Sequence, residues 1–120
     1  MEETYKEQLI SEYRTPKNNR KLIGATSTGE HNNHVCGDLI RIQLRMDAGT
    51  IQDAAWTGKG CLLCVAAASI LTEHTKGKTA KEIEQITNDD MQDIIKAHIP
   101  TSREECILTP LKAMKNAIRK

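Results

Sequence analysis

The chain predicts an α+β fold: a small antiparallel sheet with helices packed on one of its faces. Three observations carry that reading. Ile40, Ile42, Leu44 and Met46 alternate with Arg41, Gln43 and Arg45, the period-two pattern of a half-buried strand. Asp47-Ala48-Gly49 then supplies turn chemistry before a second run, Ile51–Thr57, so the two runs read as a hairpin. From Cys61 to Leu71 the chain is almost unbroken in apolar residues, which fits a central buried helix but is too short to span a bilayer.

The remaining elements fall around that centre. Tyr5, Leu9 and Tyr13, with Ile10 beside them, form one stripe of an amphipathic helix over Glu3–Tyr13. Thr15-Pro16 ends it, because the residue before a proline is pushed out of the helical region. Gly24–Asn33 is polar and rich in Thr, Ser, Gly and Asn, and the pattern leaves it open between a weak edge strand and a loop. Thr57-Gly58-Lys59-Gly60 is expected to break the sheet, with the helix Cys61–Thr75 after it and Gly77 as its stop. Thr79 or a neighbour caps Ala80–Ile86, and Thr87 or Asn88 caps Asp89–His98, with acidic residues in that first turn. The last segment, Arg103–Arg119, places Leu108, Leu111, Met114 and Ile118 at helical spacing. Pro110 within it is a candidate true start of the helix, with Cys106 then on the loop or first turn before it.

Composition narrows the function. A chain of 120 residues is expected to form one domain, 1–120, with a modest core that is aliphatic, since there is no Phe and a single Trp. The formal charge of +1 offers no basic excess for nucleic acid. The charged N-terminus lacks an apolar signal core, so the expected location is cytoplasmic, with no membrane partner. In that compartment four cysteines read as ligands or reactive thiols rather than disulfides.

Three of them sit at element ends: Cys36 in Cys36-Gly37-Asp38, Cys61 in Gly58-Lys59-Gly60-Cys61, and Cys106 at the opening of the last helical segment. Cys36 precedes the first strand and Cys61 follows the second, so a hairpin brings them together. Asp38 can point to the same side as Cys36. At Cys61 a glycine-rich turn feeds a helix, whose dipole and free N–H groups favour a thiolate. Cys106 joins them if the final segment packs beside the hairpin ends. Three thiolates and a carboxylate make a four-ligand zinc site, or an incomplete shell for iron and sulfide. Cys64, one turn after Cys61, reads as a spare ligand, a resolving thiol or a small buried hydrophobe. Cys61-Leu62-Leu63-Cys64 has redox Cys-x-x-Cys spacing, but the flanking thioredoxin-type strand–helix pattern is missing from the sequence. His34 is near the site in sequence and reads equally as an exposed loop residue. Lys59 and Arg41 read as solvated charges.

Several motifs in order resemble the IscU/NifU N-terminal type of iron–sulfur cluster scaffold and its SufU branch. They are Tyr5…Leu9-Ile10…Tyr13-Arg14-Thr15-Pro16-Lys17-Asn18, then Asn33-His34-Val35-Cys36-Gly37-Asp38, then Gly58-Lys59-Gly60-Cys61 with Ala66-Ala67-Ala68-Ser69, and Arg103-Glu104-Glu105-Cys106 with Leu111-Lys112-Ala113-Met114. The resemblance covers essentially the whole chain and implies an IscU/SufE-like fold with a three-stranded antiparallel sheet. It implies a scaffold that accepts persulfide sulfur from a cysteine desulfurase and builds a labile [2Fe–2S] cluster for apo iron–sulfur proteins. Such a chain is a carrier rather than a turnover enzyme, and a monomer or weak dimer. In the SufU branch the same site holds zinc and the protein relays sulfur as a sulfurtransferase. Carried over, Cys36, Asp38, Cys61 and Cys106 are the site, with Cys36 the persulfide acceptor and Cys106 its companion.

The departures are local. The IscU branch has His before the third cysteine, where this chain has Glu105, still a carboxylate able to ligate. The chaperone-read Leu-Pro-Pro-Val-Lys segment of that branch is reduced here to Pro100 and Arg103. Arg103 resembles the SufU branch, whose insertion before the third cysteine this chain lacks. His34 replaces the usual Pro before the first cysteine. Cys64, Glu105 and His34 are thus the candidate additions to the site, and the chain resembles a divergent member.

Overall fold

Alternation along the hairpin sets the architecture. The structure, a computed structural model, describes residues 3–34 and 37–119, with side chains from Lys6 onward. Strands β1 (Ser27–Asn33), β2 (Asp38–Asp47) and β3 (Thr50–Lys59) form one antiparallel sheet in the order β1-β2-β3. On β2, Ile40, Ile42 and Leu44 are wholly buried while Leu39, Arg41 and Arg45 face solvent, as a period-two strand requires. Helices α1 (Glu3–Arg14), α2 (Leu62–Thr75), α3 (Ala80–Glu84), α4 (Asn88–Ile95) and α5 (Glu104–Ile118) complete the chain. Helices α2 and α5 pack on the buried face of the sheet, and α1 and α4 pack on α2. The α+β class and the helices on one face agree with the sequence. Among the described residues no helix is long and apolar enough to cross a membrane.

The open segment Gly24–Asn33 resolves into edge strand β1 from Ser27 onward, registered Ser27↔Leu44 through Asn33↔Asp38. Its polar composition hid it because its partner is not a side-chain layer but a helix backbone. Gly29 lies directly under α5, where any Cβ would run into the carbonyl of Ala113 and the backbone of Ala117. The side amide of Asn116 also donates to the Glu30 carbonyl at 2.9 Å, covering part of that edge.

Several boundaries move, α3 for one ending at Glu84 rather than Ile86. The sheet does not break at Thr57: Gly58 and Lys59 still pair with Ile40 and Leu39, and Gly58 adopts φ 129, where any Cβ would run into the Leu39 carbonyl. Helix α4 stops at Ile95, where Lys96 turns left-handed at φ 58, rather than reaching His98. Its Thr87–Asp90 capping box sets the start. Helix α5 begins at Glu104, after a 3-10 turn at Thr101–Arg103, and runs through Pro110, so Cys106 lies inside its first turn. Two acidic residues in that turn suit the helix dipole and fix the start upstream of the proline.

Polar residues pin α1 and the segment after it. The hydroxyl of Ser69 on α2 donates to Glu12 at 2.5 Å and accepts the Lys17 N–H at 2.7 Å. The indole N–H of Trp56 donates to the Lys17 carbonyl at 2.9 Å. Asn18 and Arg20 hydrogen-bond the backbone of Trp56, closing part of the β3 edge. Of the expected α1 stripe, Leu9 is buried, but Tyr13 is 44% exposed because the chain turns away at Thr15-Pro16.

Candidate metal centre

The register of the hairpin delivers two ligand candidates to one place. Leu39 pairs with Lys59, so Asp38 at the start of β2 lies beside Gly60-Cys61 at the exit of β3. Cys61 is the N-cap residue of α2, with extended backbone at φ −69 and ψ 172. Its N–H donates to Asp38 Oδ1 at 3.1 Å, and its Sγ lies 3.9 Å from Asp38 Oδ2. The carboxylate therefore caps the helix in place of the Cys61 side chain, which makes no cap hydrogen bond. That leaves the thiol turned toward the site.

Helix α5 brings the third donor. Its packing against β1, β2 and α2 sets Cys106 where a carboxylate oxygen of Asp38, Sγ of Cys61 and Sγ of Cys106 all lie within 4.8 Å of one another. Cys106 and Asp38 are each about 1% exposed, whereas Cys61 is half-buried. Two thiolates and one carboxylate at this spacing suit a borderline-soft ion such as zinc or ferrous iron. Cys36, the fourth candidate, lies outside the described residues.

The sequence-derived additions fall elsewhere. His34 is exposed in the turn after β1, and it is not among the gathered donors. Glu105 is exposed and pairs with Lys112 at 2.8 Å on the next turns of α5. Cys64 is fully buried behind the site rather than within the donor set. Burial, then the negative charge of Asp38, Cys61 and Cys106, pushes its thiol pKa far up. A protonated thiol is a poor ligand. With β3 ending at Lys59 and α2 beginning at Leu62, Cys61-x-x-Cys64 does sit on a strand-to-helix junction, which the sequence had hidden by its apparent sheet break.

Two residues quoted in the sequence motifs carried no site role there. Gly60 leaves the space between Cys64 and Asp38 open: a Cβ there would lie 2.9 Å from Cys64 Sγ and 3.0 Å from Asp38 Oδ1. The signal was the Gly58-Lys59-Gly60 pattern, whose second glycine is needed for room. Arg103, in the 3-10 turn, reaches over the rim with Nη2 3.8 Å from Cys61 Sγ. Hydrogen bonds to Cys106 and Cys61 favour its charged form and raise its pKa further. It supplies a fixed cation for anionic sulfur, and its place three residues before Cys106 was the available hint.

The chain is 30% identical over 114 residues to the iron–sulfur cluster assembly scaffold protein IscU 1 of Archaeoglobus fulgidus, covering 95% of this chain and 74% of that one. It is 33% identical over 91 residues to the zinc-dependent sulfurtransferase SufU of Bacillus subtilis, covering 73% of this chain and 61% of that one. A crystal structure of a SUF-system scaffold protein from Fervidobacterium islandicum superposes with a TM-score of 0.81 at 21% identity, covering 93% and 94% of the two chains, and so shares the fold. The profile of the NifU-like N terminal domain matches residues 4–120. A match of that extent, together with the relatives at 30% identity and above, means that the chain belongs to the NifU-like N-terminal domain family.

Proposed function

We propose that this chain, acting as one domain over residues 1–120, is a cytoplasmic scaffold for iron–sulfur cluster assembly. It accepts persulfide sulfur from a cysteine desulfurase and combines it with iron into a labile [2Fe–2S] cluster for apo iron–sulfur proteins. The observation that carries this reading is the gathering of Asp38, Cys61 and Cys106 donors within 4.8 Å at the mouth of a helix. Cys36, two residues before Asp38, is the fourth ligand and the first persulfide acceptor, with Cys106 as its companion. Mixed ligation favours release: a single carboxylate among thiolates holds iron less firmly than a fourth thiolate would. The half-buried Cys61 leaves the cargo side open, and Arg103 offers a cation to incoming anionic sulfur.

A second reading, a zinc-bound sulfurtransferase, is favoured by the size of the donor set. Tetrahedral zinc with Zn–S bonds near 2.3 Å places neighbouring ligands about 3.8 Å apart, within the spacing found. Cys36, Asp38, Cys61 and Cys106 would hold the ion. Bound there, zinc would keep the thiols deprotonated and nucleophilic.

Anaerobic incubation with ferrous iron, cysteine and a desulfurase separates the two. Scaffold action gives visible sulfur-to-iron charge-transfer bands. Sulfurtransferase action gives faster desulfurase turnover with zinc retained and no such bands. Cys36→Ser abolishes either activity, and full activity in that variant would show that both readings are wrong.

A further inference from the structure

Cys64 has no part in the function just proposed, yet it is placed as a reacting group. It is the third residue of α2, and Cys61 is the N-cap, so the two side chains occupy neighbouring positions on the first turn. Neither thiol is in a disulfide. Cys61 is half-buried at the site and Cys64 is fully buried behind it. An accessible first thiol and a shielded second one at a helix start is the layout of a thiol–disulfide pair. Here the pair opens onto a site with the Asp38 carboxylate across Gly60 from the Cys64 thiol and a guanidinium 3.8 Å from Cys61 Sγ. Gly60 holds open the contact between Cys64 and Asp38, since a side chain there would occupy the same space.

We infer that Cys64 is the resolving thiol for a persulfide carried by Cys61, so that the chain itself releases the delivered sulfur as sulfide. The inference rests on the sulfur-accepting role proposed above, with the sulfur first taken up at Cys36 and then exchanged onto Cys61: the Cys61 thiolate attacks the terminal sulfur of the Cys36 persulfide, and Cys36 leaves as a thiolate. A persulfide sulfur is more oxidised than sulfide, and a scaffold needs it reduced by two electrons. Cys64 Sγ attacks Sγ of the Cys61 persulfide. The bond from Cys61 Sγ to the terminal sulfur breaks, and a Cys61–Cys64 disulfide forms. The terminal sulfur leaves with the bonding pair beside Arg103. The Cys64 proton ends on the departing sulfur, which leaves as hydrogen sulfide. Cys64 sulfur is oxidised and the terminal sulfur is reduced, so one turnover needs no outside reductant. A dithiol reductant then restores the pair.

The test uses the full, reduced, metal-free chain under anaerobic conditions, with glutathione persulfide as the sulfur donor and rapid removal of excess donor. Sulfide is then assayed, and free thiols are alkylated before trypsin digestion. Cys61 and Cys64 share the tryptic peptide 60–76, so their disulfide appears as that peptide unalkylated and two hydrogens lighter. The wild type is expected to release close to one sulfide per chain and to yield that peptide. Cys64→Ala and Cys64→Ser are expected to keep the persulfide on Cys61 and to lose most of the sulfide release. Two small replacements guard against a packing defect, and circular dichroism checks the fold of each. Sulfide release at the wild-type level from both variants overturns the inference. So does a wild-type chain that takes up no sulfur on Cys61, or whose disulfide joins Cys61 to another cysteine. Cluster assembly is scored separately. If the pair releases sulfide but no cluster forms with iron, the scaffold reading fails and the pair stands. If cluster forms with added dithiol while the wild type releases no sulfide from glutathione persulfide, the pair fails and the scaffold stands.

Discussion

Asp38 and Asp53 stand on neighbouring strands of one hairpin, and their carboxylates meet opposite company. Asp53 accepts a hydrogen bond from Arg20 at 2.8 Å, with Lys76 at 3.6 Å and Arg45 at 3.8 Å, so its charge is neutralised by fixed cations. Asp38 is deeper, about 1% exposed, and its hydrogen-bond contacts among the described residues are the Cys61 N–H at 3.1 Å and the Cys61 thiol at 3.9 Å. Among the described residues no ion pair to Asp38 is found. An anion ringed by cations ties the fold together, whereas a buried one held by weak donors keeps attraction for a cation from outside. The same residue type thus serves structure at one end of the hairpin and ligand chemistry at the other.

The comparison breaks first at the thiols. Cys61→Ser and Cys106→Ser are expected to weaken zinc binding on the order of a thousandfold, as loss of one strong bond to a four-coordinate ion implies. Competition against a chromophoric chelator reads this directly. Unchanged affinity in either variant would remove that residue from the site. Asp38→Asn is expected to cost about a hundredfold in the same assay, because the amide keeps the shape and loses the charge. Its thermal stability is expected to stay level or rise, since a buried uncompensated charge is removed.

Gly60→Ala tests whether the two sides of the site need their separation. The added methyl meets both Cys64 and Asp38, so overpacking is expected to cost about 1–3 kcal/mol of stability and to shift the Asp38 carboxylate. Chemical unfolding together with zinc titration should show both effects. A variant with wild-type stability and affinity would mean that the junction is looser than its contacts imply.

How far the sequence could foresee this contrast depended on which forces acted locally. The hairpin was legible because alternation along Ile40–Met46 is a direct imprint of one buried face. The approach of Asp38 to Cys61 followed from the same hairpin, since antiparallel pairing puts the start of one strand beside the end of the other. Strand β1 was not legible: its burial comes from α5 crossing Gly29, a contact 84 or more residues away in the chain. The ring around Asp53 was equally hidden, being assembled from a loop, two strands and the end of α2. Glu105 looked like a ligand from its place beside Cys106, but successive helix positions point in different directions, and it faces Lys112 instead. Arg103 was noticed as a resemblance, and its reach to Cys61 depends on the 3-10 turn that precedes α5.

The smallest expected effect belongs to Asp53, and it sharpens the comparison through pH. Burial raises the Asp53 pKa, but the Arg20 hydrogen bond, the Ala54 N–H and the charges of Arg20 and Lys76 outweigh it, leaving the pKa below the ordinary 3.8. A carboxyl with a depressed folded pKa contributes stability that is fully present above its unfolded pKa and is lost as pH falls through the folded one. At pH 7 Asp53→Asn is therefore expected to lower stability by about 1 kcal/mol, the scale of a partly exposed ion-pair cluster, and to leave zinc affinity unchanged. Toward pH 3 and below, the wild type loses that advantage and the two proteins converge. Urea unfolding of both at pH 7 and at acid pH gives the two differences. A gap that persists undiminished in acid would assign the cost of the substitution to packing or hydrogen bonding rather than to charge, and the contrast between the two aspartates would then rest on Asp38 alone.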